Sequence, residues 1–173
     1  QMTTNKLLIA IGISIAAFAC KNSIEKLPNE FANANTHFSI RYPANWKFDS
    51  TNYSMREELA SGGDDFQEKI VLGYEKLPAK LDAKTYAISM ATTYKLLDSQ
   101  FKQLAMQPFV QKDFDAYELQ FTTLQNNMQY KSAAYVLIKD SFAFTIQCNA
   151  TDKTFEAHHP IFKEIINSAK YIQ

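Results

Sequence analysis

Residues 117–150, YELQFTTLQNNMQYKSAAYVLIKDSFAFTIQCNA, contain three runs of apolar residues separated by two short polar links. The links are Asn126-Asn127 and Asp140-Ser141. In the third run, apolar side chains occupy every second position: Phe142, Phe144, Ile146 and Cys148. Alternation with a period of two is typical of a half-buried strand, and two-residue polar links are typical of tight hairpins. This stretch therefore predicts an antiparallel three-stranded meander with Cys148 pointing inward.

Helical patterns flank the meander on both sides. Residues 82–106 carry apolar side chains at spacings of three or four: Tyr86, Met90, Tyr94, Leu97, Phe101 and Leu104. This spacing predicts a long helix with Asp82 as its N-cap and Pro108 beyond its end. Residues 152–171 predict a second amphipathic helix, with Pro160 in its first turn or at a kink.

Further strands precede the long helix. Phe38, Ile40 and Tyr42 alternate with polar residues, and a second strand is predicted over roughly 66–77. The pattern predicts an α+β fold in which an antiparallel sheet, a hairpin plus the three-stranded meander, is covered by the long central helix and the C-terminal helix. At 173 residues the chain is long enough for one such domain, which we assign to residues 36–173.

The first twenty residues have the pattern of a secretory signal. Lys6 precedes an apolar run of about thirteen residues, which is short for a transmembrane helix, and Ala17-Phe18-Ala19-Cys20 resembles the lipobox of bacterial lipoproteins. We therefore expect residues 1–19 to be a lipoprotein signal peptide, Cys20 to carry acyl chains, and polar residues 20–35 to form a flexible tether. The alternatives are an ordinary cleaved signal or a buried N-terminal helix whose cysteine is incidental.

The segment Phe38 to Trp46, FSIRYPANW, enters Tyr-Pro from a strand and places a tryptophan shortly afterwards. This segment resembles the opening of PsbP-like and DcrB-like domains, and the order of elements over residues 36–173 is similar as well. Ser168-Ala169-Lys170 resembles the end of those domains. The resemblance implies a non-enzymatic binding or accessory role and supplies no catalytic residues.

Some side chains could serve a site. Trp46 and Tyr135 are the candidates for an exposed binding surface, although for Trp46 a core anchor that pins its turn is the favoured interpretation. Adjacent His158 and His159 point about 100° apart on a helix, so they do not readily chelate one ion, and a solvated surface is expected unless one joins Asp152 or Glu156. Two acidic pairs, Glu57-Glu58 and Asp64-Asp65, are expected to be solvated.

The net charge and the absence of known motifs exclude several classes of function. Lys plus Arg and Asp plus Glu both number 18, so no excess of positive charge favours nucleic acid as a partner. Nucleophile, phosphate-binding and Cys-x-x-Cys motifs are absent from the sequence. We therefore expect a bacterial envelope protein, held at the membrane periphery by its lipid, that binds another envelope protein without catalysis, cofactor or metal. The alternative is a small apolar or aromatic ligand between sheet and helix, and the choice of inner or outer membrane stays open.

Overall fold

The computed structural model describes residues 27–57, 68–125 and 127–172. The expected signal peptide, Cys20 and the first part of the expected tether lie outside these ranges. Within them, no helix combines the length and apolarity needed to cross a membrane. In chain order the elements are β1 (Asn29–Asn33), β2 (Phe38–Tyr42), β3 (Trp46–Asp49), β4 (Ser54–Glu57), β5 (Lys69–Lys76), α1 (Ala83–Leu97), β6 (Lys102–Pro108), β7 (Asp115–Gln125), β8 (Met128–Lys139), β9 (Phe142–Thr151), α2 (Phe155–Asn167) and β10 (Lys170–Tyr171).

Two antiparallel sheets form from these strands. The larger has seven strands in the order β3-β4-β5-β9-β8-β7-β6, and the smaller has three in the order β1-β2-β10. The predicted meander is β7-β8-β9, at the centre of the large sheet. Asn127 and Asp140, with φ values of 60° and 54°, turn its two hairpins. The α+β fold class and the meander are therefore confirmed.

The two faces of the large sheet pack against different elements. On one face, side chains of α2 and the small sheet form the main core with alternate residues of β8 and β9; the largest include Phe38, Tyr135, Phe144, Phe155, Phe162 and Ile166. On the other face, α1 packs against Val136, Ala134 and Leu119. Cys148 lies fully buried in the main core, as its strand alternation predicts.

The long helix is shorter than predicted. Asp82 caps its start by accepting a hydrogen bond from the Thr85 N–H at 2.8 Å, as expected. The helix ends at Leu97, because Asp98 accepts a bond from the Gln100 N–H in a tight turn and β6 follows. The prediction of helix through residue 106 was wrong, since the apolar residues of 98–106 belong to a turn and an edge strand that only tertiary pairing identifies.

The tether is also shorter than predicted. Leu27 is buried in the main core, and β1 pairs along its whole length with β2. Phe31 at the middle of β1 stacks on Phe48 with ring centroids 4.4 Å apart. The prediction of a flexible segment through residue 35 was therefore wrong for 27–35, because one aromatic among polar neighbours carries too little periodicity to identify an edge strand.

The C-terminal helix occupies residues 155–167 rather than 152–171, and β10 follows it. Pro160 lies inside the helix, one turn after its start. Its apolar face, Phe155, Phe162, Ile165 and Ile166, is buried as the sequence pattern indicates.

Candidate functional site

Helix α1 lies close to the sheet because its buried face consists of alanines. Ala83, Ala87 and Ala91 recur every fourth residue, and small side chains at this spacing let a helix approach a sheet closely. The larger side chains of the helix, including Tyr86 and Tyr94, flank that contact. Since α1 ends at Leu97, the sheet beyond its C-terminal end is left partly uncovered.

A groove of about 490 Å³ occupies this uncovered region, and we call it the α1 groove. Tyr94, Leu97 and Phe101 line it from the helix end and the following turn. Strands β5, β7, β8 and β9 line its floor, where the polar residues include Gln147 and Asn149. A volume of this size lies in the range typical of small-molecule pockets.

An aromatic cluster forms one wall of the α1 groove. The ring centroids of Tyr94 and Phe101 both lie 5.2 Å from that of Phe121 and 5.9 Å from each other. Tilted aromatic pairs at such distances add rigidity and attraction beyond simple area burial. The wall is therefore a fixed apolar surface that an incoming group could pack against.

The floor of the α1 groove is polar and internally hydrogen bonded. The Tyr94 hydroxyl donates to Gln147 Oε1 at 3.0 Å, and the Gln147 side-chain amide donates to Asn149 Oδ1 at 2.8 Å. The Ser132 hydroxyl also donates to Asn149 Oδ1, at 2.8 Å. A tyrosine hydroxyl is protonated at neutral pH and so donates here, and burial raises the pKa of Tyr94 further above its usual value.

The rim of the α1 groove exposes a leucine. Leu97 lines the groove and is 80% exposed, and its neighbour Leu96 is 81% exposed. A second hollow of about 500 Å³ lies between α1 and β6, and Phe101 lines both. Ile88, which lines this second hollow, and Leu104 of β6 are also exposed. Exposed apolar side chains beside hollows of this size are characteristic of interaction sites.

Neither residue expected to form a binding surface is exposed. Trp46 is only 4% exposed and packs edge-on against Phe162, so it anchors the core, which is the role favoured for it from the sequence. Tyr135 is fully buried against Phe109, and its hydroxyl donates to Glu118 at 2.9 Å. The surface role is therefore excluded for both side chains, and the prediction was wrong for Tyr135, because strand alternation identifies a residue's face but not what covers that face.

Buried Glu118 is the centre of a polar network on the α2 side of the sheet. It accepts hydrogen bonds from the side chains of Gln107, Gln120 and Tyr135 at 2.8–2.9 Å, and His159 Nε2 lies 3.3 Å away. Burial alone would raise the pKa of Glu118, but these hydrogen bonds outweigh it and hold the pKa below its usual value. The network satisfies a buried carboxylate and so stabilises the fold.

The two adjacent histidines singled out from the sequence contact different acidic residues. His158 faces Glu57 and Glu68, whereas His159 faces Glu118. Glu156, suggested by sequence as a partner of a histidine, pairs instead with Lys131. Residues 58 and 64–65, the other acidic candidates, lie outside the described ranges.

The residues of the α1 groove were not singled out from the sequence. One signal lay next to the groove, because Leu96, the neighbour of groove-lining Leu97, lies off the apolar stripe of α1 and so has no place in its buried face. Gln147 and Asn149 carried no such signal, since polar residues on one side of a strand usually face solvent.

Comparisons with known proteins identify the fold. No family model and no curated protein sequence matches this chain. LpqN of Mycobacterium tuberculosis, described as involved in cell envelope biogenesis, has 15% identity over 79% of this chain and 83% of its own, with a TM-score of 0.64. Cyanobacterial PsbP from Synechocystis has 14% identity over 95% and 98%, with a TM-score of 0.62.

A third similar structure is the Ran-binding protein Mog1p of Saccharomyces cerevisiae. It has 10% identity over 84% of this chain and 95% of its own, with a TM-score of 0.59. At these identities the likeness concerns the fold. The sequence resemblance to PsbP-like domains is confirmed at that level, and the chain adopts a PsbP-like α+β fold.

Proposed function

We propose that this chain is a lipid-anchored protein of the bacterial cell envelope that binds another envelope protein through the α1 groove without catalysing a reaction. The envelope location is supported by the signal and lipobox pattern of residues 1–20 and by the likeness to LpqN. The observation that carries the binding role is the exposed apolar rim of the groove.

Leu96 and Leu97 project into solvent from the end of a helix that buries only alanines. Full burial of a leucine side chain contributes about 1.5–3 kcal/mol, so covering both would contribute on the order of several kcal/mol to an association. Phe101 extends the apolar surface into the second hollow. A partner that inserts apolar side chains on both sides of Phe101 fits this shape.

The short tether restricts where the partner can lie. Residues 21–26 alone separate Cys20 from buried Leu27. An extended chain of this length spans at most about 25 Å. If Cys20 carries the lipid, the domain stays close to the headgroups, and its partner is a membrane protein or another lipoprotein.

Two variants test the two parts of the proposal separately. Cys20→Ser should abolish incorporation of labelled palmitate and release the protein from the membrane fraction. A Leu96→Ser/Leu97→Ser variant should remain lipidated but lose the partner recovered after affinity capture from solubilised envelopes. Labelled, membrane-bound Cys20→Ser protein would contradict the anchor, and recovery of the same partner by the leucine variant would contradict the binding site.

A small apolar or aromatic ligand is the second candidate occupant, and the polar floor of the α1 groove favours it. Gln147 and Asn149 could orient a ligand whose aromatic part packs on Phe101 and Phe121. This candidate predicts that a discrete molecule co-purifies with the protein in native mass spectrometry. Loss of that molecule in a Phe101→Ala variant would support it, and ligand-free protein that still binds its partner would contradict it.

A further inference from the structure

A second cluster of functional side chains lies away from the α1 groove. Glu57 ends β4, Glu68 immediately precedes β5, and His158 projects from α2. One candidate ligand atom from each of the three lies within 4.8 Å of the others. The backbone N–H of Glu57 donates to the carbonyl of Glu68 at 3.3 Å, so the two acids are cross-strand neighbours. Like charges in neighbouring strands are unfavourable unless a cation compensates them.

The hydrogen bonds of His158 determine where that cation would be. His158 Nδ1 lies 3.0 Å from the carbonyl oxygen of Thr154, which can only accept, so Nδ1 carries a proton. In a neutral ring, Nε2 then presents a lone pair to Glu57 Oε2, 3.3 Å away. The lone pairs of His158 Nε2 and Glu57 Oε2 then face each other and require a positive charge between them. That charge is either a second proton on the imidazole ring or a metal ion.

Other side chains hold both acids in place. The Asn45 side-chain amide donates to Glu57 Oε1 at 3.0 Å, which leaves Oε2 directed at His158. The Thr154 hydroxyl donates to Glu68 Oε1 at 2.6 Å, while the carbonyl of the same residue accepts from His158. Metal-binding imidazoles and carboxylates are oriented by outer hydrogen bonds of this kind.

We propose that Glu57, Glu68 and His158 form a binding site for a divalent transition-metal ion, with Zn²⁺ as the representative ion. Two ligands at about 2.0–2.1 Å from a tetrahedral Zn²⁺ are about 3.3 Å apart, which matches the separation of His158 Nε2 and Glu57 Oε2. A doubly charged ion also neutralises both carboxylates, which a single proton on the ring does not. The site does not depend on the proposed partner binding, because it shares no residue with the α1 groove.

Titration of the full-length chain without an affinity tag, in detergent, with ZnCl₂ alone tests the proposal. Calorimetry should show one ion bound per chain. Co²⁺ should quench the fluorescence of Trp46, the single tryptophan of the chain, because Trp46 pairs in register with Glu57. Ca²⁺ should give no saturable signal, since an imidazole ligand favours transition metals.

Variants identify the ligands. His158→Gln and Glu57→Gln should each weaken Zn²⁺ binding by on the order of 100-fold or more. Thr154→Val keeps the backbone carbonyl that accepts from His158 but loses the hydroxyl that donates to Glu68. It should weaken binding by about 10–100-fold. Thr154→Ser should restore binding. Two controls should bind as the unmodified chain does: His37→Asn on the β1–β2 hairpin, and Glu156→Gln, an exposed α2 residue two positions before His158.

The opposite results would overturn the proposal. If Zn²⁺ binds no better to the unmodified chain than to His158→Gln, the cluster is an ion pair with a protonated imidazole and not a metal site. Equal binding of Ca²⁺ would show that the site is not selective for transition metals. Loss of Zn²⁺ binding only in a control variant would place the metal site elsewhere in the chain. Circular dichroism of each variant establishes that it is folded before titration.

Discussion

The two faces of the large sheet differ in what covers them. The α2 face is covered by a helix and a second sheet, and its core is built from aromatic and branched residues that are almost fully buried. The α1 face is covered by a single helix of 15 residues that buries three alanines and ends before the sheet does. This difference indicates that the α2 face provides most of the stability, whereas the α1 face leaves apolar side chains exposed, which is the surface proposed for binding.

The largest effect is expected from removing a core aromatic on the α2 face. Phe162 is fully buried and contacts Trp46 and Phe155. Phe162→Ala should lower the free energy of unfolding by about 3–5 kcal/mol, because it loses transfer free energy and leaves a cavity. Urea unfolding followed by circular dichroism measures this. A loss below that of the exposed-site variant Leu97→Ala would contradict the assignment of stability to this face.

A smaller loss is expected from enlarging the contact of α1 with the sheet. Ala87 of α1 is fully buried where the helix packs against the sheet. Ala87→Leu should cost about 1–3 kcal/mol, because the helix must move away from a packed surface. The exposed neighbour Ile88→Leu is the matched control and should leave the unfolding midpoint unchanged. If Ala87→Leu also leaves the unfolding midpoint unchanged, α1 is not closely packed on the sheet and the α1 groove has no fixed wall.

The sequence predicted the fold better than the site, for physical reasons. The alternation of apolar residues in β7, β8 and β9 follows directly from burial of one face of the sheet. The N-cap at Asp82 is a hydrogen bond to a residue three positions away. Both features can therefore be predicted from the sequence. Edge strands β1 and β6 are not, because their pairing depends on partners distant in the chain. The same holds for His158, whose glutamates are about a hundred residues away.

Acid sensitivity should follow from Glu118. Because hydrogen bonds lower the pKa of Glu118 in the folded state below that of the unfolded chain, its ionised form stabilises the fold above the unfolded-state pKa. That contribution is lost as pH falls through the lowered folded-state pKa. Between about pH 5 and pH 3, the unmodified chain should therefore lose more stability than a Glu118→Gln variant.

Chemical denaturation at each pH measures the difference for Glu118. The control is Glu30→Gln, which removes an exposed carboxylate from β1 and should follow the unmodified chain across the same range. Parallel pH profiles for Glu118→Gln and the unmodified chain would show that the buried network does not hold an ionised carboxylate.

The smallest effect on stability is expected at the rim of the α1 groove. Leu96→Ser/Leu97→Ser should change the free energy of unfolding by no more than about 0.5 kcal/mol per site, since both side chains are already in water. Partner binding should nevertheless be lost. A substantial loss of stability in this variant would show that the leucines belong to the folded core, and the contrast between the two faces would then fail.

Site-specific photo-crosslinking in living cells tests the central claim most directly. A benzophenone side chain at position 97 should form an adduct with one discrete envelope protein. The same group at position 110, where Val110 is 91% exposed beyond the far end of β6, should form none. Equal adducts from both positions, or adducts from position 110 alone, would contradict the assignment of the binding surface to the α1 groove.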